Sequence, residues 1–80
     1  MDFTARTPKQ LGQIFRGQRN SQKLTQKETA QIVGLLPKTI SKLELTTETA
    51  TIESLFKLLS ALQLELVVRS RTQTSPTREW

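Results

Sequence analysis

Eighty residues carry twelve Lys or Arg, seven Asp or Glu, no Cys and no His, for a formal net charge of +5. That length holds one domain with a marginal core. The missing residue types exclude disulfides and the commonest transition-metal ligands and leave no nucleophile–base pair, so neither a cofactor nor an enzyme is expected and a second subunit is the remaining support.

The chain opens on Met1–Pro8, which contains Asp2 and Arg6 and no apolar run, so it does not read as a secretory signal and a cytoplasmic protein is expected. Thr7-Pro8 is a helix start, because Thr can cap free N–H groups and Pro tolerates the first helical position. Leu11, Ile14, Phe15 and Gln18 follow at helical spacing and predict helix 1 over Pro8–Asn20. After the polar Asn20-Ser21-Gln22 turn, Thr25 caps a second helix, Gln26–Val33, with Ala30 and Val33 turned inward and Gly34 where a left-handed residue is wanted. Leu36 is pushed to an extended conformation by the proline after it, and Pro37 opens helix 3, Pro37–Glu44, with Ile40 and Leu43 inward.

Leu45–Ala50 reads as a Thr-rich loop. Thr51 then caps helix 4, Ile52–Leu62, where Ile52, Leu55, Phe56, Leu58, Leu59 and Leu62 cover most of the circumference. Such a helix belongs in the core, in a dimer interface, or in both. The mostly apolar stretch Leu55–Val68 is interrupted by Lys57, Ser60, Gln63 and Glu65, so no membrane span is expected. From Gln63 the period changes, and Leu64, Leu66 and Val68 share one face of a short strand. A lone strand leaves its backbone groups unpaired, which predicts an intersubunit β-ribbon with the same strand of a second copy; the competing reading is an irregular tail after helix 4. Leu59, Leu62, Leu64, Leu66 and Val68 are the expected dimerisation residues. The fold expected is all-α, four to five helices with one short C-terminal strand over residues 1–69, and a disordered, flexible tail over 70–80.

Charge is uneven along this plan. Residues 1–43 hold eight basic groups against two acidic ones, net +6, whereas residues 44–80 hold four against five, net −1. The basic half is the half expected to meet a polyanion, and by charge alone RNA, DNA and anionic lipid fit equally well. Two short helices joined by a tight Gly-containing turn narrow the choice, since that shape lays its second helix into the major groove.

Thr25-Gln26-x-Glu28-x-Ala30-x-x-x-Gly34, followed by Thr39-Ile40-Ser41-x-x-Glu44, resembles the lambda/434-repressor-like (XRE, Cro-type) helix-turn-helix family. The resemblance covers residues 8–62 and departs from the family at Pro37, where a polar base-contacting side chain is usual, and at Thr29, where Leu is usual. It implies that Gln26 grips a backbone phosphate and braces the recognition helix, and that Arg19 both pairs with Glu44 and leans on a phosphate. Lys38, Ser41 and Lys42 would look into the groove, with Pro37 and Thr39 beside them; lysine can donate to guanine O6 and N7, and serine can donate or accept. Lys42 reads equally well as a phosphate contact, and Lys23 and Lys27 as phosphate contacts or as solvated surface. Double-stranded operator DNA read by a homodimer is the implied partner.

Thr7-Pro8-Lys9-Gln10-Leu11, Thr51-Ile52-x-Ser54-Leu55-Phe56-Lys57-Leu58-Leu59, the strand Leu64–Val68 and a Ser/Thr-rich tail closing on Glu79-Trp80 are together most similar to the HipB-type antitoxins. That similarity implies a repressor of its own operon that binds a HipA-type serine/threonine kinase toxin, in some systems with a third operon-encoded protein, and it makes Trp80 the anchor on the kinase. A phage-type or restriction-control regulator with no toxin partner is the alternative, and in that case Trp80 has no assigned task.

Overall fold

The computed structural model describes residues 2–71. The expectations for Trp80 and for the tail from residue 72 onward lie outside the described residues. The described residues form four α-helices and one 3₁₀ turn: α1 Pro8–Ser21, α2 Gln26–Val33, α3 Pro37–Leu45, the 3₁₀ turn Thr47–Thr49, and α4 Ile52–Ala61. No helix is long and apolar enough to cross a membrane.

The helix starts follow their capping residues. Thr7 accepts from the Gln10 amide ahead of Pro8, Thr25 from the Glu28 amide, and Thr51 from the Ser54 amide. The ends of α1, α2 and α4 share one geometry, whereas α3 ends at Thr46 with φ −125°. Leu24, Leu35 and Leu64 each donate their amide back across the last turn, to the carbonyls of Arg19, Ala30 and Leu59. This closure places one residue of each turn in the left-handed region, and only α2 uses glycine there: Gly34 at φ 72°, against Lys23 at φ 59° and Gln63 at φ 58°. The leucine that follows each left-handed residue is thereby turned back onto the core.

Phe15, Ala30, Ile40, Leu43, Leu58, Leu59 and Leu62 make that core, with Leu11, Leu24, Leu35, Leu55 and Leu64 packed at its margin. Burial of each large side chain contributes about 1.5–3 kcal/mol. Helix α4 divides its apolar surface: one side enters the core, while Ile52 and Phe56 stand 69% and 49% exposed. Leu59 and Leu62, expected at a dimer interface, are buried within the single chain, so the accessible part of that surface is Leu64, Leu66 and Val68.

No strand forms among the described residues after α4. The reason is physical, since a strand is defined by its ladder and the described residues offer this segment no second edge to bond. Leu66, Val67 and Val68 are left exposed, Val68 to 91%.

Gly12 lets α1 approach the end of α3 closely. A Cβ at this position would overlap the backbone carbonyl of Glu44 and the Thr47 hydroxyl, whereas a Cβ at Gly17, five residues along the same helix, would meet nothing within 4 Å. Gly12→Ala should therefore destabilise the chain by about 3 kcal/mol, since a backbone carbonyl cannot step aside. Gly17→Ala should stabilise it by about 0.5–1 kcal/mol through helix propensity. Urea unfolding of the two variants checks the contrast, and equal midpoints would mean that α1 does not lie this close to the end of α3.

Candidate nucleic-acid interface

The basic half of the chain folds into α1, α2 and α3, and the last two pack against each other around Gly34. Helix α2 is held at its start by a reciprocal cap. The Thr25 amide donates to Glu28 Oε1 at 2.8 Å, and Thr25 Oγ1 accepts from the Glu28 amide at 3.0 Å. Thr29, which departs from the family pattern, is fully buried, and its hydroxyl donates to the Thr25 carbonyl at 2.9 Å. A polar residue is tolerated in an apolar slot because the helix itself satisfies its hydroxyl.

Helix α3 starts at Pro37 behind an extended Leu36, which supplies no side-chain cap. Ile40, Leu43 and Glu44 turn inward. Helical spacing then carries Lys38 and Lys42 to the opposite face, where both are exposed, with Thr39 and Ser41 half-buried at its edges. A small hollow between α3 and α4 is lined by Thr39, Lys42, Thr49, Thr51 and Ser54, so hydroxyls sit beside the Lys42 stem.

The orientation of α3 is fixed from behind by one carboxylate. Arg19 Nε donates to Glu44 Oε2 at 2.6 Å and Arg19 Nη2 to Glu44 Oε1 at 3.2 Å, while Arg19 Nη1 donates to the Leu24 carbonyl at 2.8 Å. Gln26 Nε2 adds a bond to Glu44 Oε1 at 3.2 Å. The Glu44 and Arg19 side chains are only 1% and 11% exposed. The Arg19–Glu44 pair implied by the sequence resemblance is thus present. It is an internal brace, with all three guanidinium nitrogens engaged by protein acceptors, rather than an arginine displayed on the surface.

Of the other expected contact residues, Gln26 is half-buried against Glu44, and Lys23, Lys27 and Pro37 are exposed. Lys23 occupies the left-handed position that closes α1, a role its sequence does not announce. The residue overlooked in the sequence is Leu36. It leads α3 and is exposed, and the available signal was an aliphatic residue standing where a capping Ser, Thr, Asp or Asn is usual. Among the described residues no three His, Cys, Asp or Glu gather as a metal site.

A family model described as helix-turn-helix matches residues 15–68. Several solved structures are similar over most of the chain. A HipB variant–O2 20mer complex superposes with a TM-score of 0.83 at 27% identity, covering 88% of this chain and 97% of that one. A HipA–HipB–O2–O3 complex gives 0.83 at 28% identity, covering 90% and 100%. A HipB–O4 20mer complex gives 0.82 at 28% identity, covering 86% and 97%. No curated protein matches.

The reciprocal cap satisfies two backbone donors at the start of α2, one residue before Gln26. Thr25→Ala should cost about 1 kcal/mol of folding stability, readable as a lowered denaturation midpoint by circular dichroism. An unchanged midpoint would show that the cap does not hold α2 in place.

Proposed function

The chain belongs to the helix-turn-helix family, and on that premise we propose that it is a dimeric, sequence-specific transcriptional repressor. In this reading it is the antitoxin of a HipBA-type toxin–antitoxin system, represses its own operon and binds a HipA-type serine/threonine kinase. The observation that carries the DNA-binding part is the outer face of α3, where Lys38 and Lys42 stand exposed while Glu44, on the opposite face, is locked to Arg19 and Gln26. A rigid helix with cations only on its outward side suits a groove lined by phosphates.

The roles follow from position. Lys38, Ser41 and Lys42 meet base edges or the phosphates flanking them, with Thr39 at the edge toward α4. Lys23, Lys27 and the second amide hydrogen of Gln26 contact the backbone of the duplex. Arg19 acts by holding Glu44. The antitoxin part is supported by the similarity to HipB structures that hold operator 20mers and, in one case, HipA. Trp80, outside the described residues, is proposed as the anchor on the kinase.

Dimerisation is supported by the apolar side chains that the single chain leaves in water: Ile52 and Phe56 on α4, and Leu66, Val67 and Val68 after it. Pairing of residues 64–68 with the same segment of a second copy would satisfy their backbone groups and cover those side chains together. Two copies would then present two recognition helices about one turn of DNA apart.

Lys38→Ala and Lys42→Ala should each weaken binding to the chain's own promoter by about 1–3 kcal/mol where the lysine reads a base, or flatten the salt dependence by about one unit where it meets a phosphate. Electrophoretic mobility shift at several salt concentrations separates the two, and unchanged affinity and slope for both variants would remove α3 from the interface. Leu66→Asp should convert the dimer to monomers in sedimentation. A dimer that survives the change would place the interface elsewhere.

A further inference from the structure

We propose that the apolar leading edge of α3, Leu36 with Pro37, makes the protein select a thymine in each operator half-site by packing against its C5-methyl group. This rests on the reading of α2 and α3 as a major-groove reader, and it assigns a specificity residue that the lysines do not supply. In helix-turn-helix docking the N-terminal residues of the second helix are the ones that meet base edges, and here the first two, Leu36 at the cap and Pro37, are aliphatic ahead of Lys38. Leu36 has an extended backbone at φ −87° and ψ 149° and makes no side-chain cap bond. It stands 63% exposed, although the core lies directly behind α3.

Neither side chain of this edge carries a hydrogen-bonding group, and Pro37 lacks even a backbone donor. Set against guanine O6 and N7, adenine N6 or cytosine N4, the edge would strip water from polar atoms and return nothing. The thymine methyl is the apolar feature that the major groove offers. One side chain thus both rewards thymine and penalises the other bases. Charge complementarity identifies the occupant as duplex DNA rather than an apolar protein surface, because the exposed cations of Lys38 and Lys42 follow Leu36 along the same helix. Wherever those cations meet phosphates they hold the helix near any sequence. The leucine discriminates among sequences.

The test selects half-sites from a randomised duplex pool with the full chain, then replaces each selected thymine by uracil, which deletes only the methyl. At one position per half-site uracil should weaken binding about three- to fivefold, the worth of one buried methyl. Leu36→Ala should bind the thymine and uracil duplexes alike, whereas Lys38→Ala should weaken both and keep their ratio. Equal binding of thymine and uracil at every position, or a thymine preference that survives Leu36→Ala, overturns the proposal while leaving DNA binding in place. Failure to enrich any sequence overturns the sequence-specific repressor reading and this inference with it.

Discussion

One buried carboxylate organises the molecule. Glu44 accepts both donors of a side-on Arg19 guanidinium and a third hydrogen bond from Gln26, and in doing so ties the end of α3 to the end of α1 and the start of α2. Charges this deep carry a desolvation penalty of several kcal/mol each, and the pair holds only because its geometry is bidentate and the remaining guanidinium nitrogen finds the Leu24 carbonyl. In a chain of eighty residues the apolar core alone leaves little margin. The alignment of three short helices therefore depends on this contact, reinforced where Gly12 lets α1 close onto the Glu44 carbonyl.

In the proposed function that arrangement separates holding from reading. The polar groups that fix α3 are used up inside the protein, and Lys38, Lys42 and the aliphatic Leu36 are left exposed. A recognition helix whose back is rigid can present long, mobile lysines without losing its own orientation. The same division recurs at the other end of the chain. Leu58, Leu59 and Leu62 are consumed by the core, and the surplus apolar surface of Ile52, Phe56 and Leu66–Val68 faces away from it. Through that surplus a second copy would turn one short reading helix into a spaced pair.

Much of this plan was legible in the residues. The bounds of α2 are marked on both sides by side chains with a local mechanism, Thr25 with Glu28 at the start and Gly34 at the end, and such signals need no tertiary context. The Arg19–Glu44 pair came from the motif rather than from spacing, because twenty-five residues separate the partners and nothing local links them. Features that arise only from packing were not legible. The 3₁₀ turn at Thr47–Thr49 looked like loop, and it is ordered by the Thr47 hydroxyl bonding to the Leu43 carbonyl under Gly12. Lys23 and Gln63 gave no glycine-like sign of their left-handed backbone. Which leucines of α4 face inward was hidden by its being apolar nearly all round, and the strand expected after it needs an edge that the described residues do not supply.

The account is tested most directly by a double-mutant cycle on the brace, with urea unfolding of Glu44→Leu, Arg19→Met and the combined variant. Removing either partner alone should cost about 3–5 kcal/mol, because the other charge is left buried without its counterpart, and the double variant should recover most of that loss. If the single variants unfold at the wild-type midpoint, or if the double variant loses the sum of the two, then Glu44 does not hold the three helices together and the orientation assigned to α3 has no support.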